Sequence, residues 1–337
     1  MNINVVLSDQ IVKDNLEVMN RNKLPIRTDY STRSSYATLF IKIGKNDDVL
    51  KYAICHTLTN IFFEESYLEI VDHYTNYVLR DLLDTKHRSF YRQQLIESKK
   101  DIITFIQEKL SDNYYITCYL DDFFIKGSSH YNSQHFCSEH LVYGFNSGGC
   151  FFDVISFNDA GLFDNKLSFD LFLSSLYDFS DDLVPFSYSK LKHGIDYSFN
   201  KHFIKQNISD YFESKNRFWV LDNSKKTFGL KALQSFYKYV NYLIDNRLPI
   251  STNDCLLLLD HKRMFAKRLE YLEESAIITS DHWAEIYTPV LQMARKQVDF
   301  CQEYNNNGFK SNCRIPYSED LILTEEHILN KLIKTGF

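Results

Sequence analysis

The sequence predicts an α+β fold with a mixed N-terminal half and a largely helical C-terminal half. Short β-branched and aromatic runs occur up to about residue 160, whereas long stretches after Pro185 have helical apolar spacing. The 337 residues include 27 Phe and 23 Tyr but only 10 Gly and 5 Pro, which is typical of a compact protein. We expect two regions, 1–185 and a mainly helical 186–337.

Charge and apolar patterning exclude several classes of protein. The net charge of −6 argues against a nucleic-acid scaffold. No apolar run approaches the roughly 18 residues that a membrane span needs. The first residues lack a basic stretch and a cleavage site, which argues against secretion. We therefore expect a cytoplasmic protein that binds neither nucleic acid nor membrane.

The cysteines indicate reduced thiols and not a metal centre. There are seven, an odd number, and none forms a CxxC pair. No two lie within four residues of each other, which argues against a zinc site. We expect most of them to be buried, and we expect no bound cofactor or metal.

The N-terminal half begins with short β-like runs within residues 1–45. Residues 49–110 contain long apolar-periodic stretches and no proline, which predicts helix. The run 114–120 predicts a strand. Two apolar runs, 138–146 and 150–157, flank the turn Ser147-Gly148-Gly149 and predict a β-hairpin.

The remaining elements are predicted to be mostly helices. Thr324 is a plausible N-cap for the last of them, because Glu325 and Glu326 would follow in its first turn. The predicted helices run from Ser168 to Tyr177, Gly229 to Arg247, Thr252 to Ser275, Asp281 to Tyr304 and Glu325 to Lys334.

A candidate catalytic site combines Cys55 with His140. Cys55 opens the stretch 55–63, which has helical apolar spacing, and His140 lies at the head of the predicted hairpin. Cysteine, then histidine, then an acid is the chain order of papain-like nucleophilic sites. A helix start and a neighbouring imidazole would lower the pKa of the thiol. In the alternative, the helix begins near Asn46 or Asp47 and Cys55 is a core residue.

The third member of the site is predicted on the facing strand. Asp153 is an acid within an otherwise apolar strand, and a buried carboxylate needs a partner. We therefore expect Asp153 to orient His140, with Asp159 as the second choice and Asn158 as an amide alternative. The rival histidines are His56, His130 and His135.

Three segments carry a resemblance to a known family. Residues 55–60, 119–124 and 140–146 resemble the butirosin biosynthesis protein H family over roughly residues 50–180. The resemblance implies a papain-like cysteine peptidase fold, with a catalytic core within 1–185. It also implies an acyltransferase in which Cys55 is the nucleophile and His140 the general base. Amide-forming enzymes of thiotemplated peptide biosynthesis, such as that of closthioamide, are similar in this sense.

The resemblance also implies the substrates. An acyl group would leave the phosphopantetheine thioester of a carrier protein, rest on Cys55 and pass to a small amine or polyamine. Two departures from the papain pattern stand out. His140 lies four residues before Gly144 instead of six, and no glutamine precedes Cys55 closely as an oxyanion donor. The missing glutamine fits a transferase at least as well as a protease.

A docking site for a carrier protein should be locally basic, because carrier proteins are acidic around their pantetheine serine. Alternatively, each run of basic residues is the solvent-exposed face of a helix and binds no partner. Rival functions are a cysteine protease with the same triad and an inactive peptide- or carrier-binding module with a buried, inert Cys55. The candidate basic clusters are Lys190, Lys192, Lys201 and Lys205, and Lys262, Arg263, Lys267 and Arg268.

Overall fold

A computed structural model describes most of the chain beyond residue 46. The β-like runs predicted within 1–45 and the alternative acid Asp159 lie outside the described residues. None of the described helices is both long enough and apolar enough to span a membrane. The described residues are 47–71, 77–91, 93, 97–158, 161–177, 183–217, 225–309 and 314–337.

The described chain is α+β, as predicted. In chain order the helices are α1 (Asp47–His56), α2 (Tyr77–Leu82), α3 (Lys99–Ser111), α4 (Phe169–Tyr177), α5 (Lys201–Phe212), α6 (Gly229–Asp245), α7 (Thr252–Glu274), α8 (Trp283–Asn306) and α9 (Ser318–Lys331). The strands are β1 (Ile61–Glu64), β2 (Tyr67–Ile70), β3 (Leu83–Tyr91), β4 (Tyr115–Asp121), β5 (Cys137–Asn146), β6 (Phe151–Asn158), β7 (Gly161–Ser168), β8 (Leu183–Leu191) and β9 (Lys226–Phe228). A 3₁₀ turn, Asp122–Phe124, follows β4.

The chain forms two compact units that do not match the predicted division at residue 185. The first unit holds residues 79–195, and the second holds 48–78 together with 196–337. Side chains of the C-terminal helices form hydrogen bonds with residues 54–59, which ties this part of the segment to the second unit. One such contact joins the Arg268 side chain to the carbonyl of Ile54, at 3.0 Å.

The first unit is built on a six-stranded antiparallel sheet in the order β3-β8-β4-β5-β6-β7. The predicted hairpin is confirmed as β5 and β6, and the Asn146 side chain in its turn accepts a hydrogen bond from the Gly149 amide. Leu141 faces Ile155 in this pair, and a bulge follows Val142. Helices α3 and α4 supply side chains such as Ile106 and Phe172 to the core beside β4, β5 and β6.

The prediction that residues 49–110 are helical is confirmed only in part. Among the described residues of this range, strands β1, β2 and β3 lie between the helices α1, α2 and α3. All nine residues of β3 pair with β8, from Leu83 opposite Leu191 to Tyr91 opposite Leu183. This partner is about a hundred residues away in sequence, so local apolar spacing could not indicate it.

The second unit joins a three-stranded antiparallel sheet, β2-β1-β9, to helices α5–α9. The helices predicted from Gly229 and Thr252 begin at those residues. In α7, the Ser251 hydroxyl caps the helix by accepting from the Asp254 amide. The last helix begins at Ser318, so Thr324 lies inside it and is not its cap.

A buried ion pair links four helices of the second unit. Lys262 on α7 donates to both carboxylate oxygens of Glu325 on α9, at 2.8 and 2.7 Å, and neither side chain is exposed. The hydroxyls of Tyr211 on α5 and Tyr287 on α8 also donate to Glu325. Burial lowers the pKa of Lys262, and the charge of Glu325 opposes this shift. Each charge is therefore tolerated only because the other is present.

Replacing one partner of this pair should destabilise the protein strongly. Glu325→Leu leaves an uncompensated ammonium group in the core, so the free energy of unfolding should fall by about 3–5 kcal/mol. Adding Lys262→Met should recover most of this loss, because no buried charge then remains. Urea unfolding at pH 7, followed by circular dichroism, measures both effects.

The surface pair Lys267–Glu270, at 2.8 Å, is a matched control on the same helix. Glu270→Leu should change the free energy of unfolding by less than about 1 kcal/mol, because the carboxylate is solvated. Equal losses in Glu325→Leu and Glu270→Leu would contradict the importance of the buried pair.

Candidate functional site

His140 is the centre of a buried hydrogen-bonded cluster in the first unit. Its side chain on β5 is fully buried. Its Nε2 lies 2.9 Å from Asp122 Oδ1 and 2.8 Å from Ser138 Oγ, and its Nδ1 lies 2.9 Å from Ser156 Oγ. Both ring nitrogens are thus engaged, so the ring is held in one orientation.

Strand pairing explains why these residues meet. In the β4–β5 pair Cys118 faces His140 and Leu120 faces Ser138, which brings the 3₁₀ turn after β4 close to the start of β5. Asp122 opens that turn and is buried. Ser138 lies two residues before His140 and therefore on the same face of the sheet.

Asp122 is an ionised carboxylate in this cluster. Burial acts to raise its pKa, but the hydrogen bond and charge of His140, with hydrogen bonds from Ser138 and Ser128, outweigh it and lower the pKa. An ionised carboxylate only accepts hydrogen bonds, so the Nε2–H group of His140 donates to Asp122. In this tautomer of the neutral imidazole, Nδ1 carries no proton and accepts a hydrogen bond from the Ser156 hydroxyl.

The prediction that Asp153 orients His140 is wrong. Asp153 faces Gly144 across the β5–β6 pair and shares its side of the sheet with Ile155, whereas His140 lies on the opposite side from Leu141. Asp153 is buried, and its Oδ1 lies 3.7 Å from Lys166 Nζ. A Cβ atom at Gly144 would meet Asp153 Oδ2 at 2.9 Å, so the glycine provides the space for this carboxylate.

Sequence reasoning missed Asp122, although a signal was present. Two adjacent acids, Asp121 and Asp122, directly follow the predicted strand 114–120, which is the last predicted strand before the hairpin. An antiparallel pairing of that strand with the first hairpin strand would have brought them to His140. The acids weighed for this role instead lie in or just beyond the strand that follows His140, which becomes β6 and ends at Asn158.

Two of the rival histidines surround the same acid pair. His130 Nδ1 lies 3.7 Å from Asp122 Oδ2, and His135 Nδ1 lies 2.6 Å from Asp121 Oδ2. Their side chains are 32% and 60% exposed, so they form the solvent side of the cluster. Across the part of the chain that the structure describes, no group of three His, Cys, Asp or Glu residues is arranged to hold a metal ion.

His56, the third rival, has a structural role in the second unit. It is buried, its Nδ1 lies 3.0 Å from the Tyr52 carbonyl, and its Nε2 accepts from the Asn200 amide at 3.1 Å. Its ring also stacks on Tyr52, with centroids 4.0 Å apart. These contacts fix a neutral imidazole that ties α1 to the start of α5.

Cys55 lies at the C-terminal end of its helix, whereas a helix lowers the pKa of a thiol at its N-terminal end. Helix α1 begins at Asp47 and ends at His56, so the alternative reading of a core cysteine in an earlier helix is confirmed. Cys55 is fully buried and makes no hydrogen bond within the described structure. Burial raises its pKa to about 12, despite the opposing charges of Arg268 and Lys51. The C-terminal end of a helix dipole also disfavours a thiolate.

The chain around Cys55 is held by side chains from distant helices. Arg268 donates to the carbonyls of Ile54 and Thr57, at 3.0 and 2.5 Å, and also to the Thr59 hydroxyl. Asn207 donates to the Thr57 carbonyl and accepts from the Thr59 amide, at 2.8 and 2.9 Å. These bonds satisfy the orphan carbonyl of Ile54 in the last turn of α1 and that of Thr57 in the irregular chain beyond it.

The same contacts overturn one of the two predicted docking surfaces. Lys262 and Arg268 are both buried and engaged in the second unit, so their cluster is not a basic surface. The other cluster is divided between the units, with Lys190 and Lys192 in the first and Lys201 and Lys205 in the second.

The structure assigns the predicted site residues to different units. Cys55 belongs to the second unit, and His140, Asp122 and Asp153 belong to the first. Comparison with known proteins matched no family model and found no curated relative. The resemblance to the butirosin family therefore stays a prediction from the residues quoted above.

Asp122→Asn should lower the free energy of unfolding by about 1–3 kcal/mol at pH 7, because a charged hydrogen-bond acceptor in the core is lost. The folded-state pKa of Asp122 lies below its unfolded value of about 3.9. Its contribution is therefore present above pH 4 and disappears as the pH falls through the folded-state pKa. Urea unfolding of both proteins between pH 7 and pH 3 should show the difference shrinking.

Asp112→Asn is the control, because Asp112 is 63% exposed and its ion pair with Lys109 is long, at 3.8 Å. It should leave the unfolding free energy within about 0.5 kcal/mol of the wild type at pH 7. A difference between Asp122→Asn and wild type that stays constant with pH would contradict a depressed pKa at Asp122.

Cys55 should resist alkylation in the folded protein. Burial and a raised pKa leave almost no accessible thiolate, whereas Cys137 and Cys150 are exposed. Iodoacetamide at pH 8, followed by peptide mass spectrometry, should label Cys137 and Cys150 rapidly and Cys55 only after denaturant is added. Labelling of Cys55 at the rate of the exposed thiols would show that the native thiol is reactive.

Proposed function

We propose that the protein is a cysteine-dependent acyltransferase whose acid–base group is His140 held by Asp122. The observation that carries the proposal is the buried hydrogen bond of 2.9 Å between His140 Nε2 and Asp122 Oδ1. An ionised carboxylate in this position fixes the imidazole tautomer and stabilises the imidazolium formed when the ring accepts a proton. The resemblance of residues 55–60, 119–124 and 140–146 to the butirosin family supports the same chemistry.

The proposed reaction has two steps. The Cys55 thiolate attacks the acyl thioester of a carrier protein, and the carrier's phosphopantetheine thiol leaves with a proton. An amine then attacks the acyl-cysteine, His140 accepts the amine proton and passes it to the departing Cys55 sulfur, and the amide is released with Cys55 restored as a thiol. The exchange between two thioesters is nearly balanced in energy, and amide formation drives the sequence forward.

The state of Cys55 sets a condition on this proposal. A buried thiol with a pKa of about 12 is protonated at neutral pH, so donor binding has to expose and deprotonate it. The positive charges of Arg268 and Lys51 favour the thiolate and would assist this change. We also propose a cytoplasmic location, since a catalytic thiol needs a reducing environment.

An acidic carrier protein would find a basic surface on the first unit. Lys86 and Arg88 on β3 are exposed, and Lys109 on α3 and Lys190 on β8 are half-buried. Each cation lies within 6 Å of the centroid of an aromatic ring, as with Lys190 over Tyr114 at 4.4 Å. Asp84 and Asp112 offset part of this charge, at 3.9 Å from Lys86 and 3.8 Å from Lys109.

A non-catalytic module that binds a carrier or peptide is the second candidate. The burial of Cys55 and the raised pKa of its thiol favour it, because such a module needs no reactive cysteine. A cysteine protease would use the same residues but would transfer the acyl group to water. An assay with an acyl donor and an amine therefore separates the three functions.

Incubation with a carrier-bound acyl thioester should give an acyl adduct on Cys55, detected by intact-protein mass spectrometry. The adduct should persist alone and disappear as an amide forms when an acceptor amine is added. Cys55→Ala should abolish the adduct. Asp122→Asn should slow transfer about a hundredfold or more, because it disturbs the base. Asp153→Asn is the matched control and should stay within a few fold of wild type, since Asp153 lies on the other face of the sheet.

Circular dichroism of each variant shows whether the variant is folded, and so distinguishes loss of a catalytic role from unfolding. Binding of the carrier without any adduct would favour the non-catalytic module. Rapid hydrolysis with or without amine, together with turnover of peptides, would make the protein a protease. Equal losses in folded Asp122→Asn and Asp153→Asn would contradict the assignment of Asp122.

A further inference from the structure

Two buried cysteines meet between the longest helices of the second unit. Cys255 lies in the first turn of α7 and Cys301 in the last two turns of α8. Their Sγ atoms are 2.9 Å apart, and the two residues are 2% and 0% exposed. Neither residue belongs to the cluster around His140 or to the contacts around Cys55.

The helices that carry these cysteines are fixed on either side of the pair. Asn305, near the end of α8, donates to the Ile250 carbonyl and accepts from the Ile250 amide, at 2.8 and 3.0 Å. Tyr237 of α6 also donates to Gln297, which precedes Cys301 on α8, at 2.9 Å. The helices are antiparallel, because the Trp283 amide at the start of α8 donates to Glu273 at the end of α7. The two thiols are therefore held close together.

We propose that Cys255 and Cys301 form an oxidisable pair that closes to an intrachain disulfide between α7 and α8. A disulfide has an S–S distance of about 2.05 Å, so the sulfurs need to approach by only about 0.9 Å. A rotation of each side chain within the helix pair can supply this movement. The inference is independent of the acyltransferase proposal, because it uses other residues and another chemistry.

The oxidant that fits a buried pair is a small peroxide. Hydrogen peroxide converts one cysteine to a sulfenic acid and releases one molecule of water. The other sulfur then attacks the sulfenic sulfur, the S–S bond forms, and a second water leaves. In total two thiols lose two protons and two electrons, and one peroxide is reduced to two waters. A bulky disulfide oxidant would need to enter the core to form a mixed disulfide.

Oxidation of this pair should be slow, and the disulfide should persist once it has formed. The hydrogen bond between Cys255 and Cys301 and the burial of both together raise the pKa of Cys255 well above its usual value, so little thiolate is present. Once formed, the bond is shielded from reductants by the same burial. It closes a loop of 45 residues between the two cysteines and restricts the unfolded chain.

The test compares the full chain kept in reductant with the chain treated with hydrogen peroxide. After alkylation and digestion without reduction, mass spectrometry should find the Cys255 and Cys301 peptides joined, with the loss of two hydrogens. The Tm of the oxidised protein should exceed that of the reduced protein by roughly 5–15 °C. Cys255→Ser and Cys301→Ser should each abolish both changes.

Cys118→Ser is the matched control, because Cys118 is also buried but lies in the first unit. It should keep the cross-link and the Tm increase. The increase is read within each variant, so a substitution that lowers stability does not obscure it. Peroxide that leaves both thiols free, or that yields only sulfinic acids or links to other cysteines, would overturn the proposal.

Discussion

The hydrogen bonds that Arg268 makes to the chain on either side of Cys55 are the interaction on which the second unit depends. Helix α1 ends in the core, and its last carbonyls would otherwise be buried without partners, which is costly. Arg268 donates to Ile54 and Thr57, and His261 on the same helix bonds to the Thr59 carbonyl at 2.7 Å. A segment from the N-terminal half is thereby built into the C-terminal helices.

The same requirement for satisfied polar groups shapes the first unit. Strand β5 is buried on both faces, so each polar side chain along it needs a partner on its own side of the sheet. His140 is satisfied by Asp122, Ser138 and Ser156. The result is an oriented imidazole beside an ionised carboxylate, an arrangement suited to proton transfer.

The two candidate catalytic residues therefore have opposite local environments. His140 has a carboxylate partner whose pKa is lowered by hydrogen bonds, which is the electrostatic pattern of an acid–base group. Cys55 has no such partner within the described structure, and burial raises the pKa of its thiol. The acyltransferase proposal thus depends on a change at Cys55 and on access of the amine to His140, which is fully buried with both ring nitrogens hydrogen-bonded.

By itself, the sequence determined the α+β class, the hairpin of β5 and β6, and the starts of α6 and α7, because turn residues, strand runs, helical apolar spacing and the Ser251 cap of α7 act locally. It also singled out His140. Only the tertiary structure decided that Asp122 and not Asp153 binds this histidine, since that choice depends on sheet register and on which face each side chain occupies. The burial of Cys55 and Arg268 was likewise decided by contacts between residues more than two hundred positions apart, which no local pattern encodes.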